Sequence, residues 1–64
     1  MIYLEPRRIY DAAIVGQENN LIVYCYYLIV EALEEEGWSM EQACEHINYN
    51  IMGTFMDGWP TILT

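Results

Sequence analysis

Lysine is absent from these 64 residues, and Arg7 and Arg8 are the only strong cations. Against them stand ten carboxylates, eight Glu and two Asp, for a formal charge of −8. Phosphate affinity comes from Lys and Arg, so sequence-independent binding to free nucleic acid is excluded. Long hydrophobic runs are missing too. The longest, Leu21 to Val30, stops at Glu31 after ten residues, about half of what a membrane-spanning helix needs. Glu5 and Pro6 stand where the apolar region of a secretory signal would begin, so the expectation is a soluble chain with no leader. Cysteine is scarce: Cys25 and Cys44 allow one disulfide at most, and in a reducing compartment both are expected as buried thiols.

What is present is apolar. Hydrophobic residues make up 55% and aromatics 14%, too much for an acidic disordered tail. The length suits a single domain, residues 1–64. A domain this small buries only about 60% of its unfolded surface. With no second source of stability in the composition, a homodimer is the expected supplement.

Turn signals cut the chain into five pieces. Ile9 to Gly16 is rich in β-branched residues and reads as a strand. Gln17-Glu18-Asn19-Asn20 reads as a hairpin turn, because consecutive Asn tolerate positive φ. Leu21 to Tyr24 is the return strand. From Cys25 to Glu36 the period changes: Cys25, Leu28, Ile29, Ala32 and Leu33 form a helical stripe, ended by Gly37. Ser39 with Gln42 three residues on predicts a capping box. The helix that follows carries Met40, Ala43, Cys44, Ile47 and Ile51 on one face and ends near Gly53. After the turn Gly58-Trp59-Pro60, Thr61 to Thr64 predicts a third strand on the hairpin edge. The expected fold is α+β: a hairpin, two helices and a short C-terminal strand, ββααβ.

The motif Tyr10-Asp11-Ala12-Ala13-Ile14-Val15-Gly16 is followed by Val23-Tyr24, Gly37-Trp38-Ser39-Met40-Glu41-Gln42-Ala43, Asn48-Tyr49-Asn50 and Pro60. In order and spacing, over residues 9 to 63, this resembles a widespread group of small phage and prophage proteins. Members of the group open with aromatic-Asp-x-Ala-Ile-x-Gly and start a helix with Gly-Met-Ser/Thr. The segment after Tyr24 differs: it is polar in the group and Cys25-Tyr26-Tyr27 here. Trp38 stands where the group often has Met. The resemblance implies a phage setting and work in the cytoplasm of an infected bacterial host; it implies no particular activity.

The candidate contact residues are acids. Glu31, Glu34, Glu35 and Glu36 fall in the last turns of the first helix, where the macrodipole disfavours negative charge by roughly 0.3–1 kcal/mol each. Glu41 and Glu45 follow one turn apart on the second helix. Such a surface complements a basic one; the plainer reading is a solvated face that keeps an apolar domain dispersed. Tyr24, Tyr26, Tyr27 and Val30 lie off the apolar stripe and have the composition of a contact surface, here read as the oligomer interface. The alternative is that these rings cover the chain's own sheet.

No metal, cofactor or catalytic residue is expected. Cys44 and His46 are two apart on a helix and point in opposed directions, which prevents them from sharing an ion or acting as a nucleophile pair. Gly53 to Gly58 lacks the spacing and lysine of a phosphate loop. Asp11 is expected to accept backbone N–H bonds and Asn50 to cap a helix end. Arg7 and Arg8 are expected to pair with acids. Together these features point to an interaction protein rather than an enzyme. In its sharpest form it inhibits a host defence or nucleic-acid-binding complex, in the manner of an anti-CRISPR protein, by occluding a basic surface. An oligomeric sponge for a nucleotide signal and a structural phage component are the alternatives.

Overall fold

A computed structural model describes all 64 residues. Helix α1 spans Arg7–Tyr10 and runs into a 3-10 turn, Asp11–Ala13. Strands β1 (Ile14–Glu18) and β2 (Leu21–Cys25) form a hairpin. Helix α2 (Tyr26–Glu35) and helix α3 (Met40–His46) follow, with α3 widening into a π-turn at Ile47–Ile51, and β3 (Thr61–Leu63) closes the fold. The sheet order is β1-β2-β3. β1 pairs antiparallel and β3 parallel with the central β2. This is the α+β architecture expected, including the short strand on the hairpin edge.

Local chemistry explains the joints. Asn19 and Asn20 both take positive φ, the backbone of a two-residue turn whose twist matches its strands. The turn is therefore tighter than Gln17 to Asn20, and Gln17 and Glu18 belong to β1. Gly37, at φ 102°, ends α2 in a Schellman motif: the Trp38 N–H donates to the Leu33 carbonyl at 3.1 Å and the Gly37 N–H to Glu34 at 2.9 Å. Ser39 caps α3 reciprocally, with Gln42 N–H to Ser39 Oγ at 3.1 Å and Ser39 N–H to Gln42 Oε1 at 3.0 Å.

The segment Ile9 to Ala13 corrects the sequence reading. It is helical, and the first strand starts only at Ile14. Tyr10 and Ala13 are buried three residues apart, a helical spacing rather than an alternating one. Pro6 at the helix start, the Arg7–Asp11 pair one turn apart and two alanines outweigh the β-branched Ile9.

The core holds Leu4, Tyr10, Ala13, Ile22, Tyr24, Ile29, Val30, Leu33, Ala43, Ile47 and Ile51. Helix α2 packs against both α3 and the Asp11–Ala13 turn, so its buried arc is wide: Ile29, Val30, Ala32 and Leu33. Leu28, expected on the stripe, turns to solvent, and Met40 of α3 is 57% exposed.

Tyr24 is fully buried, and its hydroxyl accepts the Leu4 N–H at 2.8 Å. It therefore clips the N-terminal segment to the sheet and has no surface to offer a second chain. Val30 is also buried. Of the expected interface set only Tyr27 is exposed, with Tyr26 half-buried. Tyr24 thus belongs to the core, Tyr26 packs against it, and Tyr27 alone stays on the surface. Tyr24→Phe leaves the Leu4 N–H without its acceptor and is expected to cost about 1–3 kcal/mol in urea unfolding at neutral pH. Burial pushes the Tyr10 phenol up; burial also pushes up Tyr24, partly opposed by the bond from Leu4. A phenol whose folded pKa exceeds its unfolded value of 10.0 stabilises the fold below that pH and loses this stabilisation as pH rises through the folded value. Stability should thus fall above pH ~10, and less steeply in Tyr24→Phe than in the parent.

Candidate acidic interface

All six glutamates of the helical hairpin, Glu31, Glu34, Glu35, Glu36, Glu41 and Glu45, are exposed. Helix periodicity places Glu31, Glu34 and Glu35 opposite the buried arc of α2, together with Tyr27 and Leu28. Tyr27 is 65% exposed and meets Tyr26 edge-on at 5.7 Å. Glu31, Glu35 and Glu36 line one shallow groove of about 150 Å³ with Arg8, Ile9, Ala12, Leu28 and Ala32. Glu34 stands on the same side of α2 but outside the groove.

The α3 acids are placed apart. Glu45 borders a second groove with Gln42, His46, Tyr49 and Asn50. Glu41 lies in the first turn of α3, where the helix dipole favours it, and lines neither groove. Across the tight Gly37 turn it is Glu36 that faces the start of α3, sharing a cleft with Trp38 and Gln42. The structure thus gathers Glu31, Glu34 and Glu35 onto one face of α2, sets Glu36 at its C-terminal end, and keeps Glu41 and Glu45 apart from them.

Both arginines are engaged within the chain. Arg7 holds Asp11 through Nε at 3.2 and 3.1 Å and through Nη2 at 3.1 Å, and its guanidinium lies 3.7 Å from the centre of the Tyr3 ring. The hydrogen bond to Asp11 keeps the Arg7 pKa raised. Asp11 therefore receives a guanidinium rather than backbone N–H groups. Arg8 Nη1 meets Glu36 Oε1 at 3.2 Å. These are exposed pairs and contribute under about 1 kcal/mol each. Their consequence is electrostatic: neither arginine makes an ion pair with Glu31, Glu34 or Glu35.

Cys25 and Cys44 are free thiols, half-buried rather than fully so. Hydrogen bonding to Cys44, then burial, pushes the Tyr26 phenol up, while its hydroxyl donates to Asn48 Oδ1 at 3.2 Å. His46 is held by three neighbours. Tyr10 Oη lies 3.4 Å from Nε2, the Asn50 amide 3.2 Å from Nδ1, and Trp38 packs edge-on at 4.9 Å. Asn50, inside the π-turn rather than beyond a helix end, donates to the His46 carbonyl one turn back at 3.1 Å, so it does not cap the helix as expected. No group of three His, Cys, Asp or Glu side chains is placed to hold a metal ion. No helix is long and apolar enough to cross a membrane.

Sequence reasoning missed a second surface. Phe55 is 91% and Tyr49 77% exposed, with Met52, Met56 and Leu63 also reaching solvent. A groove of about 560 Å³ opens beside Met52, Phe55, Met56 and Asp57, backed by Ile51, Trp59, Pro60 and Ile62; Tyr49 and Leu63 lie outside it. Residues 52 to 60 have no regular secondary structure, so no periodicity marked these side chains as a group. The one available signal was charge, because Asp57 is the only charged residue after Glu45.

No protein-family model matches the chain, nor does any curated protein or solved structure.

Proposed function

We propose that this protein is a non-enzymatic inhibitor that covers the basic surface of a nucleic-acid-binding host complex. The observation that carries the reading is the solvent face of α2: Tyr27, Leu28, Glu31, Glu34 and Glu35, with both arginines of the chain already bound by its own acids. Glu31, Glu34 and Glu35, the α2 carboxylates that no arginine pairs, lie along about 6 Å of helix at 1.5 Å per residue. That is on the order of one charge per 2 Å, comparable to the one per ~1.7 Å of duplex DNA. A channel built to hold phosphates meets a similar charge density here. Tyr27 and Leu28 add an apolar contact that a mobile polyanion lacks, and a tyrosine face accepts an arginine by cation–π attraction.

The resemblance to small phage proteins fits the same reading. A phage product acting in the cytoplasm of an infected bacterium meets defence nucleases, whose nucleic-acid channels are basic, and an anti-CRISPR role is its sharpest form. The nucleotide-sponge alternative requires free cations for the ligand phosphates, and Arg7 and Arg8 are both occupied. The test is affinity capture of bacterial lysate proteins on the tagged chain at low and at high salt, identified by mass spectrometry. The expected result is a basic nucleic-acid-binding complex retained at low salt and released at high salt. Recovery of no such complex would contradict the proposal.

A further inference from the structure

The apolar groove beyond α3 is built from the least charged stretch of a strongly acidic chain, with Asp57 the one charged residue in its lining. Eleven of the twelve charged residues precede His46; the remaining eighteen residues, 47–64, carry Asp57 alone. The proposed basic partner therefore finds almost no charge to pair with along this stretch. A second copy of the chain is in the opposite position. With each copy at −8, contact through any acidic face brings like charges together, and the least charged stretch is where association costs least.

The same patch is shaped for self-association. A two-fold interface requires one surface to hold both a projection and the recess that receives it. Phe55, at 91% exposure, stands on the rim of the groove as the projection; the groove it borders, with Ile51, Met52, Trp59 and Ile62 in its walls, is the recess. A monomer gains nothing by presenting a phenylalanine almost wholly to water, where the favourable burial of its ring is forgone. The patch adjoins β3, an edge strand whose Thr61 and Leu63 are exposed and which carries none of the charges that protect sheet edges from pairing. Size also fits. A stable interface buries about 800 Å² per partner, about a fifth of the 4286 Å² this chain exposes. The eighteen-residue stretch is more than a quarter of the chain.

We infer that the chain forms a two-fold homodimer through this stretch, with Phe55 of each copy seated in the groove of the other. The two α2 acidic faces are then left free to meet other molecules. The inference stands apart from the function proposed above, because it uses none of the glutamates.

Sedimentation equilibrium tests it, with circular dichroism to verify folding. The parent chain is expected at twice its 7.5 kDa mass, with association maintained or strengthened by salt. Phe55→Asp is expected to raise the dissociation constant at least about a hundredfold, because the two-fold axis makes each substitution count twice. Tyr27→Glu and the reversal of Glu34, Glu35 and Glu36 to Lys are expected to leave the dimer intact. Phe55 is exposed in the single chain, so its replacement does not threaten the fold. A parent that is monomeric at every concentration overturns the inference. So does a dimer that survives both Phe55→Asp and Met56→Lys, which would place the contact on another face. Loss of host-complex capture in the charge-reversed variant, with the dimer retained, would bear on the proposed function alone.

Discussion

Ile47→Ala is expected to unfold a large part of the population at 37 °C. Ile47 is fully buried at the junction of α3 and the π-turn, in the single core that holds both helices and the sheet. Removing its side chain down to Cβ costs the lost transfer free energy plus a cavity, together about 2–5 kcal/mol. A domain of this length has a total stability on the order of 3–10 kcal/mol. The loss is thus between about a fifth of the stability and all of it, and urea denaturation followed by circular dichroism reads it directly. Met40→Ala, seven residues earlier on the same nominal stripe, is the control: Met40 is largely exposed and its truncation should stay within about 0.5 kcal/mol. Equal losses at the two positions would mean that α3 does not present the face described here.

Reversing Glu34, Glu35 and Glu36 to Lys should have a large effect of the other kind. Even a modest ~1.4 kcal/mol per reversed charge lowers affinity for a basic partner about a thousandfold. The association rate should fall as well, because steering by the acidic face turns into repulsion. Stability is expected to hold or rise: lysines suit the C-terminal turn of α2 where glutamates do not, and the exposed Arg8–Glu36 pair that is lost contributes little. That opposition separates a contact role from a structural one. A variant that folds better and binds worse has lost contacts; one that loses both has lost its fold.

Features that rest on neighbouring residues were legible in the sequence. The Ser39/Gln42 box, the Gly37 stop and the Asn19-Asn20 turn each need only a few positions, and each stands where the residue chemistry puts it. The C-terminal strand was legible from its apolar run after Trp59-Pro60. Features that depend on tertiary partners were not. Tyr24 finds its hydrogen-bond partner twenty residues away, so the sequence could not tell a buried ring from a contact surface. Leu28 and Met40 fell on apolar stripes, yet α2 is turned by having two neighbours, the Asp11–Ala13 segment and α3. Ile9 to Ala13 was pulled towards a strand by Ile9, Ile14 and Val15, although Tyr10 and Ala13 carry a helical spacing.

The acidic face divides in the same way. That the glutamates are exposed follows from the cost of burying an unpaired charge. That Glu31, Glu35 and Glu36 share a groove with Arg8, while Glu45 borders a different one, follows only from how α2 packs against the N-terminal helical segment on one side and α3 on another. The pairing of Arg8 is likewise a tertiary fact, since it reaches Glu36 across twenty-eight residues, whereas Arg7 pairs with Asp11 one turn on.

Occlusion of a nucleic-acid channel is tested most directly by competition. The captured host complex is loaded with labelled nucleic acid, and the protein is titrated in while fluorescence anisotropy follows the label. The account predicts stoichiometric displacement by the parent chain and none by the variant with Glu34, Glu35 and Glu36 reversed to Lys. Simultaneous binding, in which the label stays on the complex while the protein saturates it, would contradict the account.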